Sequence, residues 1–213
     1  MRTLLGERIT KNIKENIGIY FIIILFFSIG LAIGGFTIKS ISIEEKNELL
    51  TYMNSFFKVY SGESVSGSSV FMQSARNNFL SILIIWVLSL TIIGVPVALI
   101  VIGFRGFVLG FSVGFFIESM GIRGLMFSLI GIIPQNIVYI PCLLIAVVIS
   151  LSYTTSVIRR RKGKGFSNNQ GLSFMSYSLI IGVIFIVTLI GSFIEGFISP
   201  LIIKALSSYF IVG

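Results

Sequence analysis

Five polar side chains interrupt the long apolar runs of this 213-residue chain: Arg105, Glu118, Gln135, Asn136 and Glu195, with Arg123 shortly after Glu118. Two glutamates are the minimum for a general acid and base, and ionisable groups inside lipid otherwise line a path for a proton or a small solute. A carboxylate at mid-bilayer costs about 2.5 kcal/mol or more on insertion scales, so such a group pairs or borders a polar cavity. Glu118 and Glu195 fall near the ends of their runs, where that cost shrinks. The simplest expectation is a Glu118–Arg123 contact pinning an outer loop. Catalysis lacks its other parts. With no His and no Asp, a Ser-His-Asp arrangement, a His-containing zinc site and an aspartate dyad are all excluded. The single cysteine, Cys142, lies in an apolar run and reads as a small packing residue. No phosphate-cradling loop is present to power transport. The reading is of a protein with no catalytic or metal residues and no cofactor, and not an enzyme.

The elements that must position these groups are membrane helices. Mean hydropathy is +1.02, and a bilayer admits only elements that satisfy their own backbone groups. The fold class expected is all-α: one polytopic domain, residues 1–213, with about five transmembrane helices, a short outer amphipathic helix and a re-entrant or interfacial segment. An N-terminal stretch carrying Arg2, Arg8, Lys11 and Lys14 suits a short helix lying on the cytoplasmic face. The first span is expected from Gly18 to Ile38. It is too long for a signal h-region and is followed by further spans, so it reads as an uncleaved helix.

Residues 39–77 form the only sizeable hydrophilic stretch, expected as an extracytoplasmic helical insertion. Its charges cancel: Lys39, Lys46, Lys58 and Arg76 against Glu44, Glu45, Glu48 and Glu63. Ser42-Ile43-Glu44-Glu45 fits a capping box. Leu49, Met53, Phe56 and Tyr60 follow at helical spacing, joined by Leu50 and Phe57. That apolar face lies outside the bilayer, to rest on the bundle or the lipid surface, or to dock another protein. Ser61 to Ser69 reads as a flexible link.

Phe79 to Ile117 is far too long for one crossing, so two spans are expected to share it. Gly103-Phe104-Arg105-Gly106 is the expected reversal, with Arg105 on the cytoplasmic side and a kink at Gly94 and Pro96. In the outgoing helix Gly106, Gly110 and Gly114 recur at four-residue steps, a groove where another helix approaches closely; Gly30 and Gly34 repeat the device. Such grooves serve packing within the chain or, alternatively, a homodimer. From Met120 to Asn136 the pattern is broken by Gly121, Gly124, Gly131 and Pro134, which reads as the re-entrant or interfacial element. The fourth span, Ile137 to Ile158, stops at the basic cluster Arg159 to Lys164, which anionic membrane lipid explains without nucleic acid. The fifth runs from Phe174 to Ile198 and leaves a tail after Pro200. Basic residues divide ten inside to six outside, placing the N-terminus in the cytoplasm and the C-terminus outside. No internal repeat of the kind found in many transporters is visible.

Three local patterns bring a family to mind: Asn77-Asn78 opening the second span, Gly103-Phe104-Arg105-Gly106-Phe107-Val108-Leu109-Gly110, and Ile133-Pro134-Gln135-Asn136 leading through Ile140-Pro141. With the size and five-span layout, the chain resembles stage II sporulation protein M over nearly its whole length. In the wider family a histidine, a glycine and a glutamate tend to follow that proline. Gln135, Asn136 and Tyr139 stand here instead, so any role of those groups does not carry over. The resemblance implies a non-catalytic scaffold in the cell membrane, at the sporulation septum and the engulfing membrane of the mother cell. With a lytic transglycosylase and an amidase/endopeptidase it would form the peptidoglycan-remodelling complex of forespore engulfment. The rival reading is a permease or channel-like subunit with a separate energising partner, using Arg105, Glu118, Gln135, Asn136 and Glu195 as pathway residues.

Overall fold

The computed structural model describes residues 17–62, 66–91, 94–161 and 173–201. The expected N-terminal amphipathic helix, the end of the basic cluster and the C-terminal tail lie outside the described residues, as do the side chains of Phe56, Phe57 and Tyr60. Every regular element described is helical: α1 (Ile17–Thr37), α2 (Ile43–Gly62), α3 (Gly67–Leu88), α4 (Gly94–Met120), α5 (Ile122–Phe127), α6 (Ile133–Arg161) and α7 (Phe174–Phe193). Two π-helical turns, Ser128–Ile132 and Ile194–Ile198, join α5 to α6 and extend α7.

Four stretches are long and apolar enough to cross a membrane: Ile17–Thr37, Gly94–Met120, Ile122–Ile158 and Phe174–Leu201. The protein is a multi-pass helical membrane protein. The 22-residue α3 is more polar, yet it packs in the same bundle against α4, α6 and α7. At 1.5 Å per residue it is about 33 Å long, enough to reach from one end of the bundle to the other. Side chains such as Phe21, Ile100, Phe104 and Leu179 point outward, as they must where the solvent is hydrocarbon.

Two sequence expectations are corrected. The chain does not reverse at Gly103 to Gly106; it reverses between the end of α3 at Leu88 and the start of α4 at Gly94, and α4 runs unbroken for 27 residues. Residues 67–77, expected in the outer insertion, form the first three turns of α3. Both follow from one misreading. The hydropathy of Ser89-Leu90-Thr91-Ile92-Ile93 hardly drops, whereas Gly103 and Gly106 imitate a turn but serve to pack helices. Arg105 thereby moves from a loop to a point about 16 Å along a spanning helix.

The tightest pairing in the bundle is α1 against α4, glycine to glycine. A Cβ on Gly30 would overlap the Gly103 carbonyl, one on Gly34 the Phe107 carbonyl, and ones on Gly106 and Gly110 the carbonyls of Phe27 and Leu31. Gly114 sits at the open end, where a Cβ would stand 3.1 Å from the Gly35 oxygen. Both glycine faces are therefore occupied by each other within one chain. Below this seam Ile23, Ile85, Ile102, Val147 and Val148 make a buried apolar core, and Cys142 packs into a second with Ile82, Ala146, Tyr177 and Ile181.

Met120 to Asn136 does not form a separate re-entrant loop. Gly121, at φ +58°, turns the chain back, and α5, the π turn and α6 follow as one helical run. Gly124 has no room for a Cβ beneath the Phe116 carbonyl, and the Phe116 and Phe127 rings lie 4.6 Å apart, so the returning run packs directly on the end of α4. Each π turn ends two residues before a proline, Pro134 or Pro200. Proline has no N–H to offer and its ring crowds the carbonyl four residues back. The preceding turn widens, with the Ile133 amide bonding to Ser128 and the Ser199 amide to Ile194.

Candidate functional site

Polar side chains from four helices meet inside the bundle. On α3, Ser74, Asn78 and Ser81 recur at four and three residues and so share one face. The π turn at Ile194–Ile198 presents Glu195 to that face, and α6 brings Tyr139. Ser74 Oγ donates to Glu195 Oε2 at 2.6 Å, and the Tyr139 hydroxyl lies 2.9 Å from the same oxygen, 2.7 Å from Ser74 Oγ and 3.1 Å from Ser192 Oγ. Each hydroxyl has one proton, so these contacts share donors. Ser74 serves the carboxylate whether Tyr139 donates to Glu195 or to Ser74. A separation of 2.6 Å lies toward the short end of the O–H···O range.

Asn78 couples this cluster to Arg105. Its Nδ2 donates to the Ser74 carbonyl at 3.0 Å, and its Oδ1 accepts from Arg105 Nη2 at 2.9 Å. The same Nη2 lies 3.3 Å from Ser81 Oγ. Arg105 and Glu195 are thus linked through two neutral side chains without touching. Ser74, Asn78, Tyr139 and Ser192 are all below 9% exposed. Gly191 makes this arrangement possible, since a Cβ there would overlap the Tyr139 ring. Gly67 and Gly196 likewise let the start of α3 close on the π turn: a Cβ on Gly67 would come 2.7 Å from the Gly196 oxygen, and one on Gly196 2.8 Å from the Gly67 oxygen.

Gln135 and Asn136 support the site from α6. Gln135 Oε1 accepts from Ser199 Oγ at 2.9 Å, tying the two proline-linked turns together, and Asn136 Nδ2 donates to the Ile132 carbonyl at 2.7 Å. A small cavity opens beside Arg105, bordered by Asn78, Ser81, Asn136, Tyr139 and Thr188 among apolar residues from α1, α4 and α6. At the opposite end of the bundle a second, uncharged cluster clamps the reversal after α3. Ser89 and Ser150 lie 2.5 and 2.9 Å from the Tyr177 hydroxyl, Thr154 donates to the Ser89 carbonyl, and Tyr177 stacks on Tyr153.

Glu118 is elsewhere. It does not pair with Arg123, which is exposed beyond the Gly121 turn; it accepts from Lys46 of α2 at 3.0 Å. Lys46 lies one turn into a helix whose start matches the capping box: the Ser42 amide donates to Glu45 Oε2 at 2.8 Å and the Glu45 amide to Ser42 Oγ at 3.3 Å. The Ser42 backbone and side-chain hydrogen bonds hold the Glu45 carboxyl below its ordinary value. Leu49 and Met53 on this helix are half-buried, while Tyr52 is 74% exposed.

A sequence model described as stage II sporulation protein M matches residues 23–200. The chain belongs to that family. The match runs from α1 to the proline that closes the second π turn, so it covers the glycine seam, the buried network and α2 together. No curated protein and no solved structure matches the chain. Sequence reasoning singled out Arg105, Gln135, Asn136 and Glu195, and the structure brings all four to one region. It missed Ser74, Ser81, Tyr139 and Ser192, of which Tyr139 was noted only for departing from the wider family.

Proposed function

We propose that this sporulation membrane protein is a non-catalytic scaffold that recruits and localises peptidoglycan hydrolases, a lytic transglycosylase and an amidase/endopeptidase, for septal wall thinning and forespore engulfment. It acts from the mother-cell side of the septum, with its N-terminus in the cytoplasm and α2 outside. The observation that carries this reading is α2, a capped 20-residue helix outside the bundle whose described residues include the exposed Lys46–Glu118 pair with α4. A helix that size, with apolar residues, suits a partner of comparable helix-in-groove chemistry. The test is affinity purification in mild detergent from sporulating cells, comparing the native chain with a Leu49→Ser, Tyr52→Ser double variant. The native chain should retain both hydrolases and the variant, at equal membrane level, should lose at least one. Equal recovery from both removes α2 as the contact.

The link from Arg105 through Asn78 and Ser74 to Glu195 favours one second reading, a permease or channel-like subunit. Under it, solute flux in proteoliposomes falls with Glu195→Gln while hydrolase recovery is unchanged. Loss of recovery with no measurable flux argues for the scaffold.

A further inference from the structure

The cavity beside Arg105 has the dimensions and the chemistry of a site for a single small anion. Its volume is about 20 Å³, room for one water or one monatomic ion. Its lining is polar at Asn78, Ser81, Asn136, Tyr139, Thr188 and Arg105, and among the described residues Arg105 is the only charged one. That guanidinium has five N–H donors, and the described residues supply acceptors to Nη2 alone, through Asn78 and Ser81. The nearest carboxylate partner is held off. Glu195 is engaged by Ser74 and Tyr139, and Asn78 stands between it and the arginine.

A guanidinium inside a bilayer needs its remaining donors met. We propose that a monatomic anion, chloride in the cell, occupies this cavity against the Nη1 and Nε side of Arg105, locking α3, α4 and α6 around it. The anion accepts from the arginine, neutral polar side chains such as Asn136 and Thr188 stand beside it, and the small volume, closed on its apolar side by Phe27 of α1 among others, excludes a hydrated ion. The occupant is structural, held at rest between five helices. This inference does not depend on the scaffold reading and survives its failure.

The test uses the purified full chain in detergent, with thermal unfolding followed in sodium chloride and in sodium gluconate at equal ionic strength. Chloride well above its dissociation constant should raise the Tm by about 4 °C, bromide should substitute, and gluconate, too large for the cavity, should not. Arg105→Gln should abolish the difference. Should that variant not fold, Glu195→Gln supplies the second arm: with the competing negative charge removed, half-maximal stabilisation should need about fivefold less chloride. Equal Tm in chloride and gluconate means that the cavity holds water and overturns the proposal. A chloride effect that persists in Arg105→Gln, or is unmoved by Glu195→Gln, is a general salt effect and overturns it as well.

Discussion

Replacing Ser74 by alanine removes a hydroxyl from the centre of the buried network, and its cost reports the charge of the group it serves. Hydrogen bonds between neutral side chains inside membrane proteins average about 0.6 kcal/mol, with a maximum near 1.7. Bonds to a charged group are worth about 1.5–3 kcal/mol. Ser74, whose Oγ lies 2.6 Å from Glu195 Oε2, falls in the second class if that carboxyl is ionised. Ser74→Ala should therefore cost about 2 kcal/mol, and the same change in a Glu195→Gln background only about 0.6, a coupling of roughly 1.4 kcal/mol. The cycle is measured by reversible unfolding in mixed micelles, following Trp86, whose indole donates to Ser178 near the far end of the bundle. Equal costs in the two backgrounds would mean that Ser74 serves a neutral partner, and the reasoning that separates two opposite charges by Asn78 would fail with it.

Four further outcomes follow from the same geometry. Gly110→Val, which drives a side chain into the Leu31 carbonyl, should destabilise by about 3 kcal/mol or block folding, whereas Gly35→Ala, 3.7 Å from the nearest atom, should cost well under 1 kcal/mol; thermal unfolding distinguishes them. Gly191→Ala should displace the Tyr139 ring and cost about 1–3 kcal/mol, a loss that vanishes in a Tyr139→Ala background. Lys46→Ala breaks an exposed pair and should change overall stability by less than about 1 kcal/mol, while protease cleavage within α2 accelerates and high salt reproduces the effect in the native chain. The Glu45 carboxyl is held below its ordinary value, so its contribution to the start of α2 is complete above the ordinary carboxylate range and is lost as pH falls through the lowered value; amide exchange at Glu45 should quicken over that acid range, Glu45→Gln should remove the pH dependence, and Ser42→Ala, which keeps the Ser42 amide as donor, should only reduce it.

The helical membrane class, the span order, the capping box and the crowded glycine faces were all legible, because each rests on spacing or hydropathy that one stretch of chain carries by itself. The network was only half legible. Ionisable groups inside apolar runs announce themselves, so Arg105 and Glu195 were singled out. Ser74, Asn78 and Ser81 carry a signal too, a polar face at helical spacing, but it lies across the point where hydropathy seemed to start the span at Phe79. Tyr139 and Ser192 have no local signal: a lone Tyr in an apolar helix reads as an aromatic packing residue, and a lone Ser bonds back to its own backbone as readily as across to another helix. What joins them is the π turn at Ile194–Ile198, which rotates Glu195 toward α3, and its sequence mark is Pro200 two residues beyond the turn, repeated by Pro134 after Ser128–Ile132. The Lys46–Glu118 pair spans 72 residues and depends on how α2 is hung from the bundle, which no local pattern encodes.

These parts divide stability unevenly. The α1–α4 seam admits no extra methylene at four glycines, and hydroxyl clusters tie α3 to α6 and α7 at both ends, so the spacing and register of the long helices are fixed from several sides. α2 is inserted between α1 and α3, with a pair whose members are 33% and 42% exposed as its tie to α4. Local opening is drawn from the elements with the fewest buried contacts, and an element held so lightly reorients on binding at little cost to the rest. A scaffold needs that combination, a bundle that stays put in the bilayer and one segment free to follow its partner. A conducting subunit needs the reverse, with movement at the buried network. Hydrogen exchange on the full chain separates the two: on the scaffold reading, partner binding protects amides of α2 and leaves those around Ser74, Tyr139 and Glu195 unchanged, and protection changes centred on the network instead would refute it.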